Sequence, residues 1–287
     1  MATSEQVAQL AGVSRATVSR ALNGSARVSD EARERVHAAI TALGYEPDVV
    51  AQSGNSPENY IRSLQTRRVA GAIMLHATDS RIQALVHAAI PTVFIDRMGQ
   101  GSHATYVKSD NMDGARRATE HLLSLGHRHI AFLTGQTVDL AGMERLLGCQ
   151  QALAYAGVAP DPGLVRQSGW NIDDAYEAAR ALLAERRDFT AIVAGSDLMA
   201  MGILRALTEH GLRVPDDVSL VGFDDVEFSQ YTNPPLTTVR QDRVEMVRAA
   251  VHRLIAMIEG TGEASPLIIP TQLIVRKSTG PVPKDIH

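Results

Sequence analysis

Short apolar runs alternate with amphipathic stretches from residue 69 to residue 223, and that alternation limits the fold more than any other feature of this chain. Residues 69–75, 91–96, 130–134, 191–194 and 218–223 have the length and predominant apolarity of strands buried on both faces, and residues 106–110 read as a further strand. Between them, residues 82–89, 113–125, 143–156, 175–185 and 198–211 carry apolar residues at helical spacing. Strands and helices that alternate in this way predict an α/β protein with parallel sheets. A prior of about 150 residues per domain suggests two main units in a chain of 287 residues, besides small ones.

A different pattern precedes the alternation. Residues 4–23 read SEQVAQLAGVSRATVSRALN. Val7, Ala8, Leu10 and Ala11 predict a short helix with one buried face. Gly12 breaks it where a tight turn needs a positive φ, and Ser14 is placed to cap a second helix. In that second helix Thr17, Val18, Ala21 and Leu22 are expected to face inward, and Arg15, Ala16, Ser19 and Arg20 outward. Val28, Ser29, Asp30 and Glu31 start a third helix with acids in its first turn, and Val36, Ala39, Ile40 and Leu43 form its stripe. Two short helices joined at a glycine suit a helix-turn-helix, whose second helix presents its N-terminal residues to the major groove; an ordinary helical hairpin has the same outline. Between Gln6 and Ser29 the only formal charges are Arg15, Arg20 and Arg27, a locally positive surface of the kind phosphates require. The net charge of −4 confines any such affinity to this region.

The N-terminal segment resembles the headpiece of the LacI/GalR family of bacterial transcription regulators, on VAQLAGVSRATVSRALNG, on Val28-Ser29 and on the GYEP of residues 44–47. The remainder resembles that family's effector domain. The matching phrases are Ser109-Asp110-Asn111 with Gly114-Ala115, residues 121–127 (HLLSLGH), Arg145 with Gly148, residues 221–225 (VGFDD), residues 234–239 (PPLTTV) and Gln241-Asp242. The resemblance implies a two-lobed, periplasmic-binding-protein-like α/β domain with parallel sheets, preceded by an all-α headpiece. It divides the chain into a DNA-binding domain at 1–46, a linker at 47–55 and an effector and dimerisation domain at 56–287. Within that domain the N-lobe would comprise about 56–109 and 240–266, and the C-lobe about 110–239 and 267–279. Ser4, Ser14, Arg15, Ala16, Thr17, Ser19, Arg20, Asn23 and Arg27 would meet operator DNA. Asp96, Arg145, Trp170, Ser196, Asp224 and Gln241 would face a sugar-like effector. The implied protein is a cytoplasmic homodimeric repressor with no cofactor, no metal, no catalytic set and no membrane contact.

The resemblance lapses near Gly54. The family's hinge helix carries a leucine wedge that kinks the duplex, and glycine can neither wedge nor favour a helix. Beyond it a first strand and helix of the effector domain are absent, a unit of about 30 residues or more. Their loss is expected to uncover strand edges and apolar helix faces and to weaken effector and operator binding, leaving a rearranged or partly disordered N-lobe, with any dimerisation through the C-lobe.

The residues also speak for themselves. Asp96, Ser196-Asp197 and Asp224-Asp225 fall at the carboxyl ends of predicted strands, where open α/β sheets bind ligands. Carboxylates there accept from hydroxyls, arginine offers a planar donor fork, and an indole face stacks on a sugar ring. Each has an alternative: Ser196 and Asp197 can cap the next helix, Asp225 can cap a turn, and Trp170 can be partly buried core. His121, His127 and His129 lack metal-ligand spacing and read as solvated side chains. Single Cys149 rules out an internal disulfide or a cysteine metal cluster. Gly99-Gln100-Gly101 and Gly260-Thr261-Gly262 lack the third glycine of a dinucleotide site. The N-terminus has no apolar secretion core and no span is long enough to cross a membrane. The rival functions are a two-lobed solute receptor without a DNA role, and an α/β enzyme.

Overall fold

The computed structural model of the chain describes residues 4–22, 28–43, 57–75, 79–99, 101–136, 139–261 and 265–283. It divides into two compact units, residues 1–70 with 78–88, and residues 71–77 with 89–287.

The first unit is helical: α1 (Ser4–Ala11), α2 (Arg15–Leu22), α3 (Asp30–Leu43), α4 (Pro57–Thr66) and α5 (Asp79–His87). Gly12 takes a φ of 65° between α1 and α2, where a side chain would be strained. Ser14 Oγ accepts from the Thr17 amide at 3.1 Å and so caps α2. Ser29 does the same for α3 through the Ala32 amide. Val7, Ala8, Ala11, Val18, Ala21, Val28, Val36 and Ala39 form the small core of these three helices. Leu10, expected inside, is 56% exposed. It lies about 100° round the helix from the centre of the stripe that Val7, Ala8 and Ala11 define. The linker at 47–55, with Gly54, lies outside the described residues.

Both sheets belong to the second unit. One contains β1 (Ala72–Leu75), β2 (Thr92–Ile95), β3 (Ala104–Ser109) and β9 (Leu267–Ile269), all parallel, in the order β1-β2-β3-β9. Helix α10 (Arg243–Glu259) covers one of its faces through Met246, Ala249 and Ala250. The other has six strands in the order β10-β8-β7-β6-β4-β5. These are β4 (Ile130–Thr134), β5 (Val165–Gln167), β6 (Ala191–Ala194), β7 (Ser219–Asp224), β8 (Thr237–Arg240) and β10 (Gln272–Ile274). All pair in parallel except β10, which runs antiparallel to β8. Helices α6 (Asn111–Ser124) and α7 (Leu140–Tyr155) pack on one face of this larger sheet, and α8 (Ile172–Glu185) and α9 (Asp197–Glu209) on the other.

Two expected boundaries move. Helices α4 and α5, assigned from sequence to the N-lobe, fall in the first unit. The crossover placed at residues 266–267 comes later, because Leu267–Ile269 still pairs with β3 and only Gln272–Ile274 joins the C-lobe sheet. Strands of three residues carry too little periodicity to fix such a boundary. In the smaller sheet β1 is paired with β2 alone among the described residues. Val244, Val247, Val251, Ile255 and Ile258 line an exposed stripe of α10.

His127 is also not solvated. It is fully buried, with Nδ1 at 2.8 Å from Thr190 Oγ1 and Nε2 at 3.0 Å from both Ser219 Oγ and the Gly280 carbonyl. It ties the start of β4 to its sheet neighbours and to the C-terminal segment. Burial pulls its ring below the usual histidine pKa.

Helices α6 and α7 come together over Gly148, where a Cβ would collide with the Met112 carbonyl oxygen. Gly148→Ala should therefore destabilise the C-lobe by about 1–3 kcal/mol through overpacking. Urea unfolding followed by circular dichroism measures this; an unchanged midpoint would refute the close packing of these two helices.

Candidate functional site

A cavity of about 490 Å³ opens at the carboxyl ends of the strands of both sheets. Asp96 follows β2, Ser196 follows β6, Asp224 ends β7 and Gln241 follows β8. Arg145 reaches in from α7 and Trp170 from the loop after β5. All six residues singled out in the sequence line this cavity. Its remaining polar wall is Arg97, Asp139 and Arg243, and its apolar wall includes Leu75, Ile95, Leu198 and Met246.

Arg145 joins these groups. Its guanidinium is buried, donating from Nε to Asn111 Oδ1 at 2.9 Å, from Nη1 to the Gly195 carbonyl and from Nη2 to Asp224 Oδ1 at 3.4 Å. It lies 3.7 Å from the centre of the Phe223 ring and 5.4 Å from that of Trp170. Burial lowers its pKa, while the carboxylates of Asp224, Asp96 and Asp197 oppose that shift. Gln241 Nε2 donates to Asp224 Oδ1, and Gln241 Oε1 accepts from Ser109 Oγ at 2.7 Å. The Ser109 amide in turn donates to Asp96 Oδ1 at 3.3 Å. Asp96, Ser109, Gln241, Asp224 and Arg145 thus form one chain of hydrogen bonds crossing from sheet to sheet.

The backbone at these strand ends is unusual. Asp96 has a φ of 56°, Asp224 of 111° and Asp225 of 51°. Positive φ at a non-glycine residue costs on the order of 1–3 kcal/mol and concentrates at functional sites. Two of the three bear carboxylates on the cavity wall; the third does not. Asp225 pairs with Arg240 and Arg276, each at 2.6 Å, instead of capping the turn. Burial alone would raise its carboxyl, but the two arginines hold it below the ordinary range.

Trp170 is both half-buried and on the cavity wall, so the two readings of it are compatible. Its ring lies against Gly135 at the end of β4, where any Cβ would collide with it. Its indole N–H donates to Asp139 Oδ2 at 2.8 Å. Asp139 stands at the N-cap of α7 yet makes no capping bond, because its other oxygen pairs with Arg97 at 2.6 Å. Ser196 likewise has two roles, lining the cavity and capping α9 through the Met199 amide. Behind it Asp197 is buried and accepts from Val226 N, Ser229 Oγ and Thr238 Oγ1. Desolvation outweighs those donors and pushes its carboxyl up to about 6. Arg97, Ser109, Asn111 and Asp139 were missed as site residues. The signals available were a basic residue just after a strand-end aspartate and an acidic residue just ahead of a helix.

In the headpiece Arg15 begins α2, with Nη1 3.3 Å from Glu5 of α1 and both side chains largely exposed. Thr17 is half-buried beside Ser14. Ala16, Ser19 and Arg20 lie along α2, and Ser4 at the start of α1; Asn23 and Arg27 lie outside the described residues. No group of acids, histidines or cysteines among the described residues could hold a metal. Among them no helix is long and apolar enough to cross a membrane.

Comparison with known proteins bears on both parts. The model for bacterial regulatory proteins of the lacI family matches residues 4–48, and that for a periplasmic binding protein-like domain matches residues 119–279. The HTH-type transcriptional regulator CelR of Thermobifida fusca is 35% identical over 332 residues, covering 96% of this chain and 98% of that protein. That aligned length exceeds the 287 residues present here, so the relative carries residues this chain lacks. A solved CelR–cellobiose complex superposes with a TM-score of 0.74 at 35% identity, over 97% of this chain and 100% of that one. The lac repressor dimer bound to operator and the anti-inducer ONPF gives 0.69 at 30% identity, over 97% and 99%.

Two variants of Asp197 and its neighbours separate structure from site. With a folded pKa of about 6 against about 3.9 unfolded, the folded state holds an extra proton between those values. The contribution of Asp197 to stability is then full below about pH 4 and is lost as pH rises through 6, on the order of 3 kcal/mol in all. Asp197→Asn should remove that fall, whatever its overall stability, in denaturant melts at pH 4 to 7. Parallel pH profiles of variant and parent would contradict the assignment, and Ser229→Ala should leave the fall in place.

Proposed function

This chain belongs to the lacI family of bacterial regulatory proteins, and from that premise we propose that its cleft binds a sugar or a similarly hydroxyl-rich metabolite that controls operator binding. The chain is a DNA-binding transcriptional regulator with a two-lobed effector domain. The observation that supports the effector class is the lining of one cavity by Asp96, Asp224, Gln241 and Arg145 beside the face of Trp170. Carboxylates and a guanidinium satisfy vicinal hydroxyls as acceptors and donors, and an indole face covers the apolar face of a pyranose. The groups now bonded to one another can exchange those bonds for bonds to ligand hydroxyls without leaving a buried polar group unpaired. The CelR relative is described in complex with cellobiose, and 490 Å³ accommodates a ligand of that order. Repression, homodimerisation on a two-fold operator and a cytoplasmic setting complete the proposal. The relatives are transcriptional regulators, and we read the cleft as a binding site without catalysis.

Direct readout is assigned to the start of α2. Arg15 and Arg20 suit guanine, at about 1–3 kcal/mol of discrimination per bidentate contact. Arg20→Ala or Ala16→Gln should shift or relax the preferred sequence in a selection from random DNA; unchanged preference in both removes them from readout.

For the effector, isothermal titration calorimetry with a panel headed by cellobiose tests the cleft. A binding sugar should lose at least about tenfold in affinity in Asp224→Ala and in Gln241→Ala, because each leaves a ligand hydroxyl unpaired. Retention of full affinity in both variants would place the effector elsewhere.

A further inference from the structure

Two ion pairs connect the lobes beside the cavity, and both follow one plan. Arg97, just after β2, meets Asp139 at the N-cap of α7, with 29% and 23% of the two side chains exposed. Lys108, in the neighbouring strand β3, meets Glu144 in the second turn of α7 and is almost completely buried. The smaller sheet supplies both cations and one helix of the C-lobe supplies both acids. Each acid is also linked to a residue of the cleft. Asp139 accepts the Trp170 indole N–H. Glu144 Oε2 accepts from Asn111 Nδ2 at 3.3 Å, and Asn111 Oδ1 accepts from Arg145 Nε at 2.9 Å.

We propose that Arg97–Asp139 and Lys108–Glu144 form an electrostatic clasp that sets the balance between closed and open lobes, and that Asp139 and Asn111 couple the clasp to Trp170 and Arg145. The physical case rests on what opening would do. Separating the lobes leaves Glu144 and Lys108 each to be rehydrated, and it takes from Glu144 the cation that holds it in place beside the Asn111 amide. A buried pair is weak support for net stability, because well-packed neutral residues often do as well. Breaking one by removing a single partner is strongly unfavourable, so the pair acts on geometry: it favours the one arrangement in which both charges are matched. Arg97–Asp139, nearer solvent, is open to screening by salt. The clasp therefore favours the closed lobes by a limited amount, which a ligand can reinforce by differential binding. Lys108 and Glu144 are not on the cavity wall, so they act as positioning residues and not as ligand contacts. The effect on effector affinity rests on the reading of the cleft proposed above; the clasp itself does not.

The test uses the full chain with Arg97→Met, with the neutral pair Lys108→Met/Glu144→Gln, and with all three substitutions together. The double replacement removes both charges at once and so avoids a lone buried ion. Trp170 is the only tryptophan, which makes its emission a direct report on the cleft. Without added sugar, acrylamide quenching of Trp170 should rise in each variant and most in the triple variant, by about twofold or more as the open population grows. The small-angle scattering radius should increase in the same order, while far-ultraviolet circular dichroism stays unchanged. With cellobiose as probe, Lys108→Met/Glu144→Gln should weaken binding by about tenfold although neither residue lines the cavity. Quenching and radius identical to the parent in the triple variant would overturn the clasp. Should the parent protein bind neither cellobiose nor any other sugar, the effector reading fails, and the sugar-free measurements still decide the clasp.

Discussion

The buried guanidinium of Arg145 is the constraint on which the cleft depends. A permanent cation taken out of water must be surrounded by acceptors. Here they are a backbone carbonyl after β6, an amide oxygen at the start of α6 and a carboxylate at the end of β7, with Phe223 and Trp170 over its faces. Those groups come from four separate elements of the larger sheet and its helices. Satisfying one charge fixes all of them relative to one another. The positive φ at Asp96 and Asp224 belongs to the same requirement, since it turns carboxylates off the strand ends and onto the cavity wall.

That arrangement suits a neutral, polar ligand. Hydrogen bonds pair Asp96, Ser109, Gln241, Asp224 and Arg145 with one another within the protein. A hydroxyl-rich ligand offers the same donors and acceptors in one body, so exchange is feasible without an uncompensated charge. Trp170, set against Gly135 and tied to Asp139, supplies the apolar face that such a ligand also needs. The headpiece works on the opposite principle, with an exposed arginine at the start of a capped helix.

Much of this was legible in the sequence. Alternating apolar runs gave the parallel sheets because strands buried on both faces must be continuously apolar. Asp96, Ser196 and Asp224 were visible as polar groups at strand ends, where an α/β sheet opens to ligand, while Arg145 was marked only by the family resemblance. Glycine and serine at Gly12 and Ser14 located the turn of the headpiece. What escaped notice depended on long-range pairing. Nothing local in Arg97 or Asp139 marks them as partners, since one follows a strand and the other precedes a helix more than forty residues later in the chain. The burial of His127 was hidden for the same reason: its three partners lie at Thr190, Ser219 and Gly280. Strands β5, β9 and β10 are each three residues long, too short for periodicity to reveal, and β9 moved the lobe boundary.

The central claim is that ligand hydroxyls replace the hydrogen bonds now made within the cleft, beside the face of Trp170. Because the chain has one tryptophan, protein labelled with ¹⁵N at that residue gives a single indole N–H cross-peak. This cross-peak reports the bond to Asp139 directly. The account predicts that cellobiose, or another sugar shown by calorimetry to bind, shifts it saturably, with the dissociation constant that calorimetry gives. A sugar that binds by calorimetry and leaves the indole resonance unmoved would contradict it.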